Sequence, residues 1–365
     1  AAGFFSNQRL LGMEAFGPLQ NIDGLPAEDV ASTMLTSTLV IPGTNYHNCV
    51  AADEFLPRDD AGSNLYAPVW DAMLDRHADV APPADRAADF RAVTRFLEDN
   101  AAAFAPGMRV IVERDGSRLY EHAVGDPPAE DEPVEIASAT KWISAAVILA
   151  LAEDGVLSLD DVVADTVQAM ADNGKGGWTV REAFSMTSGL TDAPGTGDQR
   201  FHTDPTLTHA QSVARIAALT PEPFAPGTVV SYDGKAMQVA GWHAVLKAAD
   251  GRDWRDLARD TILAPLGMDD TAYDAFGVNP AVAAGATSTA ADYLRFLRML
   301  HRGGLADDGS RVLGSALDEL FAYPNDGLAI DQSATPFGPG DWYPRAVPQP
   351  RYGFGSWVLA FDPLT

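Results

Sequence analysis

Residues 138–152 constrain the fold more than any other stretch of this chain. Ser138-Ala-Thr-Lys141 runs into Trp142-Ile-Ser-Ala-Ala-Val-Ile-Leu-Ala-Leu-Ala152, which is apolar all round at helical spacing. A helix without a polar face belongs inside a core, so the rest of the chain must cover it on every side. Ser138 and Lys141 stand three residues apart and share one face at the head of this helix, which lets the hydroxyl and the amine meet. An uncompensated ammonium in such surroundings carries a large desolvation penalty. Burial and the positive end of the helix dipole therefore favour a neutral amine and an alkoxide. These are the parts of an activated serine nucleophile that needs no histidine. A serine three residues before a lysine is common, and a buried lysine is not always functional. Here, however, the chain has only four lysines, Lys141, Lys175, Lys235 and Lys247.

The flanking segments are more specific. Upstream, Ala105–Gly125 reads as two strands around an Asp115-Gly116 turn. Before it, residues 85–100 read as an amphipathic helix with Phe90, Val93, Phe96 and Leu97 on one stripe. Downstream come Leu157-Ser-Leu-Asp-Asp161, Trp178–Leu190, Phe224-Ala-Pro-Gly-Thr-Val-Val-Ser-Tyr232, Ala264-Pro-Leu-Gly-Met-Asp-Asp-Thr271 and Ala284–Phe296. In this order, and with Ser138-x-x-Lys141, they resemble the serine β-lactamase and penicillin-binding-protein superfamily, most closely its class C β-lactamase and family VIII esterase branch. The resemblance covers about residues 88–361. It implies an α/β (α+β) fold, a β-lactamase-like antiparallel sheet flanked by helices plus a helical subdomain, with the cleft between sheet and helices. Gly353–Phe361 alternates like a returning sheet strand.

The same resemblance assigns a second catalytic element to Tyr232-Asp-Gly234, aligned with the family's Tyr-x-Asn motif. A lysine ammonium beside a phenol favours the phenolate, so Tyr232 can take the Ser138 proton or relay it to the leaving group. Which of Lys141 and Tyr232 is the base is left open, and Tyr232 can also be read as an ordinary strand-end tyrosine. Gly234 replaces the asparagine whose carboxamide contacts substrate in β-lactamases, which leaves room for a differently shaped acyl group. Lys235 reads either as a solvated turn lysine or as a substitute cation at the cleft edge. A third, glycine-containing strand carrying one donor of the oxyanion hole is expected beyond Thr365, so the chain reads as incomplete at its C-terminus.

Residues 1–85 form an N-terminal extension of unrecognised role, closing in the linker-like Ala78-Asp-Val-Ala-Pro-Pro-Ala84. Residues 86–365 form the β-lactamase-like domain. The formal charge of −26 argues against nucleic acid and anionic membrane surfaces as partners and suits a salt-tolerant acidic protein. The lone Cys49 forms no internal disulfide framework and offers no zinc cluster. A cysteine nucleophile beside His47 matches no known local pattern. No run approaches the roughly 18 apolar residues needed to span a bilayer. The start at Ala1-Ala2-Gly3 fits cleavage after a small-residue signal site, which points to a periplasmic or secreted protein, and it fits a shortened chain equally.

The expected function is that of a serine hydrolase acting through an acyl-enzyme on an ester or small amide. Ser138 is the expected nucleophile, Lys141 and Tyr232 the proton-transfer groups, and Gly234 and Lys235 the candidate substrate contacts. No metal or organic cofactor is expected, and the partner is a small-molecule substrate. Hydrolysis of β-lactams or of peptidoglycan D-amino-acid peptides is the alternative within the same chemistry. A non-catalytic β-lactamase-like binding protein is the alternative outside it. The sequence is silent on oligomeric state.

Overall fold

A computed structural model of the chain describes residues 10–12, 38–40, 90–104, 107–114, 116–191, 200–322, 325, 327–331 and 351–358. Of the N-terminal extension this includes two short strands, β1 (Leu10–Gly12) and β2 (Thr38–Val40), which pair antiparallel. The linker near residue 85 lies outside the described residues.

Helix α1 (Arg91–Asp99) is the described part of the helix expected over 85–100. Val93 and Leu97 on its stripe are buried. It lies against the hairpin of β3 (Gly107–Arg114) and β4 (Ser117–Gly125), with Phe90 stacked on Tyr120 at 4.6 Å and Thr94 Oγ1 2.9 Å from the Tyr120 hydroxyl. Arg114 pairs with Ser117, and Gly116 between them takes the positive φ that a tight hairpin turn demands.

Short strands and helices then follow: β5 (Val134–Glu135), α2 (Thr140–Glu153), α3 (Gln168–Asp172), α4 (Val180–Phe184), α5 (His209–Leu219), β6 (Val229–Val230), α6 (Lys235–Ala248), α7 (Trp254–Ala258), β7 (Thr287–Ser288), α8 (Ala290–His301), α9 (Leu317–Leu320), β8 (Ala329–Ile330), β9 (Arg351–Tyr352) and β10 (Trp357–Val358). Helices α4, α5 and α7 each start at a reciprocal capping box, Thr179 with Glu182, Thr208 with Gln211 and Asp253 with Asp256. In each, the cap side chain satisfies an orphan backbone N–H of the first turn. β5 pairs antiparallel with β7, β9 antiparallel with β10, and β6 parallel with β8. The described strands thus form small two-stranded units among helices, an α+β arrangement.

Helix α2 is the centre of the core, with every residue from Thr140 to Leu151 buried. Its large aliphatic side chains contribute about 1.5–3 kcal/mol each, so burial anchors the helix. Trp142 meets Phe296 of α8 and Phe321 edge-on at 5.8 and 6.5 Å. The buried hydroxyls of α2, those of Thr140 and Ser144, are satisfied, as most buried polar groups are. Ser144 Oγ donates to Val282 O at 2.6 Å, and Thr140 Oγ1 accepts from Ala286 N at 3.1 Å. Tyr293 caps the approach by donating to Ala139 O at 3.2 Å. On the hairpin side, Arg298 of α8 grips the buried Glu113 through Nε and Nη2 at 2.7 and 3.1 Å.

The C-terminal strand expectation is corrected. Residues 353–356 are not part of one alternating strand but the tight turn between β9 and β10, closed by Gly353 N donating to Ser356 O at 2.8 Å. Tyr352 through Ser356 are all buried. Gly355, at φ +84°, breaks the alternation, and a Cβ there would come within 2.6 Å of Ala145 Cβ on α2. The remainder of that segment, 359–361, lies outside the described residues.

Candidate active site

Ser138 sits in a single 3₁₀ turn, Ala137–Ala139, that leads directly into α2. Lys141, one turn further on, is 3% exposed. Its Nζ donates to Ser138 Oγ at 2.9 Å and to the carbonyl of Ala283 at 2.9 Å. It also lies over the ring of Tyr232, 4.8 Å from the centroid, within reach of a cation–π attraction. The three residues that the sequence singled out for chemistry are therefore brought together around one amine.

Backbone strain concentrates here. Among the described residues, four non-glycine positions take positive φ, a region that costs such residues about 1–3 kcal/mol. Ala249 caps the end of α6, and the other three border the site. Ala137 (φ 40°) immediately precedes Ser138, and Ala281 (φ 45°) lies two residues before the carbonyl that holds Lys141. Met186 (φ 61°) supports the tyrosine loop, its carbonyl accepting from Ser231 N at 2.8 Å and its sulfur from Asp233 N at 3.4 Å. Tyr232 is packed edge-on to Tyr352 at 5.8 Å.

Lys235 is not the solvated turn residue that one reading of the sequence allowed. It is 1% exposed, and its ammonium lies 3.1 Å from Asp233 Oδ2, while its backbone N–H donates to the other oxygen of the same carboxylate at 2.6 Å. Burial without a counter-ion would be prohibitive for a lysine, and Asp233 supplies that counter-ion at the start of α6. Gly234 lies between them with an ordinary φ of −81°, so backbone conformation is not what requires glycine there. Space is: a Cβ on Gly234 would stand 2.7 Å from His202 Cδ2, 2.9 Å from His202 Nε2 and 2.9 Å from Ala283 Cβ.

Three residues of this neighbourhood were missed by the sequence reading. His202 lies in the 3₁₀ turn Phe201–Thr203, where nothing in the local pattern marks it. Burial, reinforced by the charges of Lys235, Lys141 and Arg200, holds its imidazole well below the ordinary histidine range. Gln238 and Asn279 are both fully buried. Gln238 carried a weak signal, a carboxamide among the small and apolar residues of 236–241, and Asn279-Pro280 is a turn dipeptide. Among the described residues no group of three or more His, Cys, Asp or Glu side chains is placed to hold a metal ion, and no helix is long and apolar enough to cross a membrane.

A half-buried serine held by a buried lysine at the head of a central helix, on this α+β scaffold, defines the class as that of β-lactamase-type serine hydrolases. The chain belongs to the β-lactamase family, whose sequence profile matches residues 93–361. The esterase/β-lactamase LipL of Mycobacterium tuberculosis is 30% identical over 145 residues, 39% of this chain and 32% of that protein. Penicillin-binding protein 4 of Amycolatopsis lactamdurans is 27% identical over 257 residues, 59% of this chain and 65% of that protein. The chain thus spans less than two thirds of the length of either relative. A solved structure from Bacteroides dorei DSM 17855, assigned as a β-lactamase, is 29% identical with a TM-score of 0.62, covering 74% of this chain and 79% of its own.

Proposed function

We propose that this protein is a serine hydrolase that cleaves an ester or small amide through an acyl-enzyme on Ser138. The observation that carries the proposal is the 2.9 Å contact between Lys141 Nζ and Ser138 Oγ, inside the range in which a proton passes between two groups. In the reacting state the amine is neutral and accepts the hydroxyl proton as Oγ attacks the carbonyl carbon. The tetrahedral intermediate then collapses, the bond to the leaving alcohol or amine breaks, and that group takes the proton from Lys141 or through Tyr232. Water attacks the acyl ester, gives its proton back along the same route, and the acid leaves. Lys141 and Tyr232 are the proton-transfer groups in this reading. The Ala283 carbonyl fixes the direction of the amine.

Esters and small amides rank first because Gly234 offers no carboxamide to an acylamino substrate. Lys235, held by Asp233, shapes the start of α6. The similarity to a penicillin-binding protein supports β-lactams or D-amino-acid peptides as the second substrate class. A purely binding role has less support, because a non-catalytic cleft has no use for a lysine buried against a serine.

Labelling with a fluorophosphonate, mapped by peptide mass spectrometry, tests the chemistry, and turnover of short-chain p-nitrophenyl esters against nitrocefin tests the ranking. The expected outcome is label on Ser138 and faster ester turnover. An unlabelled, properly folded protein would overturn the hydrolase assignment, and efficient nitrocefin turnover would reverse the substrate ranking.

A further inference from the structure

The ring of His202 occupies the volume into which a side chain at position 234 would grow. Its placement is enforced from the backbone. Phe201 O accepts from Ser212 Oγ at 2.8 Å and from Asn279 Nδ2 at 3.3 Å, and the same Asn279 nitrogen donates to Asp204 O at 3.1 Å. Both ends of the 3₁₀ turn are therefore pinned, and the imidazole is delivered against Gly234, whose other flank is closed by Ala283, the residue whose carbonyl holds Lys141. His202 Nδ1 is buried without a hydrogen-bond partner, which a histidine tolerates only as the neutral ring. Proton uptake there is further opposed by Lys235 and Lys141.

We propose that His202 is the specificity-determining residue of this cleft, its neutral imidazole standing in for the side chain that Gly234 lacks and selecting acyl groups that present a hydrocarbon or aromatic surface over those that carry their own amide. The inference rests on Ser138 being the nucleophile. A carboxamide offers a donor and an acceptor to an acylamino substituent. An imidazole with one nitrogen enclosed cannot match that pair, and its flat face suits an apolar acyl chain. Glycine at 234 and histidine at 202 are coupled, since the ring leaves no room for a side chain at 234.

The test compares wild type, His202→Ala and His202→Asn for kcat and KM on p-nitrophenyl butyrate and on nitrocefin, with fluorophosphonate labelling rate and melting temperature measured in parallel. Expected in His202→Ala is a loss of about tenfold in ester kcat/KM, carried mainly by KM, the size of change that follows loss of one pocket contact. His202→Asn restores a carboxamide to this corner from a different chain position, and it should shift the nitrocefin-to-ester ratio by roughly tenfold or more toward nitrocefin. Labelling of Ser138 should stay within about threefold of wild type, because the contact concerns the acyl group and not the nucleophile. An unchanged ratio with normal labelling overturns the inference alone. Loss of labelling in both variants, with the wild type labelled, means that His202 serves folding or the Ser138–Lys141 pair, and overturns it too. A wild type that takes no label overturns the hydrolase reading and this inference with it.

Discussion

The side-chain amide of Gln238 donates to Asn279 Oδ1 at 2.7 Å, deep in the core, while its oxygen accepts from Val282 N at 2.8 Å. Asn279 in turn holds the carbonyls on both sides of His202, and Val282 precedes the carbonyl that receives Lys141. One pair of carboxamides therefore sets both the acceptor of the amine and the turn bearing His202. His209 closes the arrangement from outside, its Nε2 donating to Gln238 O at 2.8 Å.

Replacing Gln238 with leucine keeps its approximate bulk but strands Val282 N and leaves Asn279 Oδ1 with Ala281 N, at 3.2 Å, in place of two donors. The buried N–H so orphaned costs about 1–3 kcal/mol. The expected result is a marked drop in the urea midpoint together with a fall in kcat for every substrate. A Gln238→Leu protein with wild-type stability and kcat would show that the carboxamide pair is dispensable to the site.

Gly234→Ala should be poorly tolerated, at an N-cap position that already prefers glycine over alanine. The added methyl has no room between His202 and Ala283, and overpacking of this kind costs about 1–3 kcal/mol. Pairing it with His202→Ala removes the ring half of the clash, so the double variant should be less destabilised than the sum of the singles. Calorimetric melting of the four proteins reads this coupling directly. Strict additivity would mean that the ring and the glycine do not compete for space.

Lys141→Arg retains the positive charge but not the ability to become neutral, since a guanidinium stays protonated. It should lose activity as fully as Lys141→Met, by about 10²–10⁴ in kcat, the usual contribution of a positioned base. Single-turnover acylation with a p-nitrophenyl ester makes the comparison. Arginine supporting near-normal acylation would assign Lys141 a purely electrostatic role.

Stability should fall on acidification in a manner traceable to His209. Burial pushes its imidazole down from 6.5 to about 4, partly offset by its bond to the Gln238 carbonyl. Between those values the unfolded chain binds the extra proton, so stability rises with pH across the window and is lost as pH falls from about 6.5 toward 4. The contribution amounts to about 1.4 kcal/mol per pH unit there. His209→Gln should flatten the pH dependence of the urea midpoint by that slope while leaving the pH 8 value less affected. Parallel curves for the two proteins would contradict the assignment.

What was legible in the sequence is local. The three-residue spacing of Ser138 and Lys141 puts them on one helix face whatever surrounds them, and the apolar run behind them can only be an interior helix. Gly116 marks its own turn, and the threonine and aspartate caps specify three helix starts. The alternation of 353–361 misled because Gly355 turns the chain back onto α2, a contact with Ala145 made across some two hundred residues. The acceptor of Lys141 is 142 residues away in sequence, and the ring that makes glycine necessary at 234 arrives from a separate turn held by Asn279. Lys235 looked exposed because its neighbours are turn formers, and became buried because Asp233 neutralises it inside the packed start of α6. Spacing along the chain thus determined the nucleophile and its amine, whereas the shape of the cleft was decided by tertiary packing, since steric exclusion and hydrogen-bond satisfaction among distant segments have no local sequence signature.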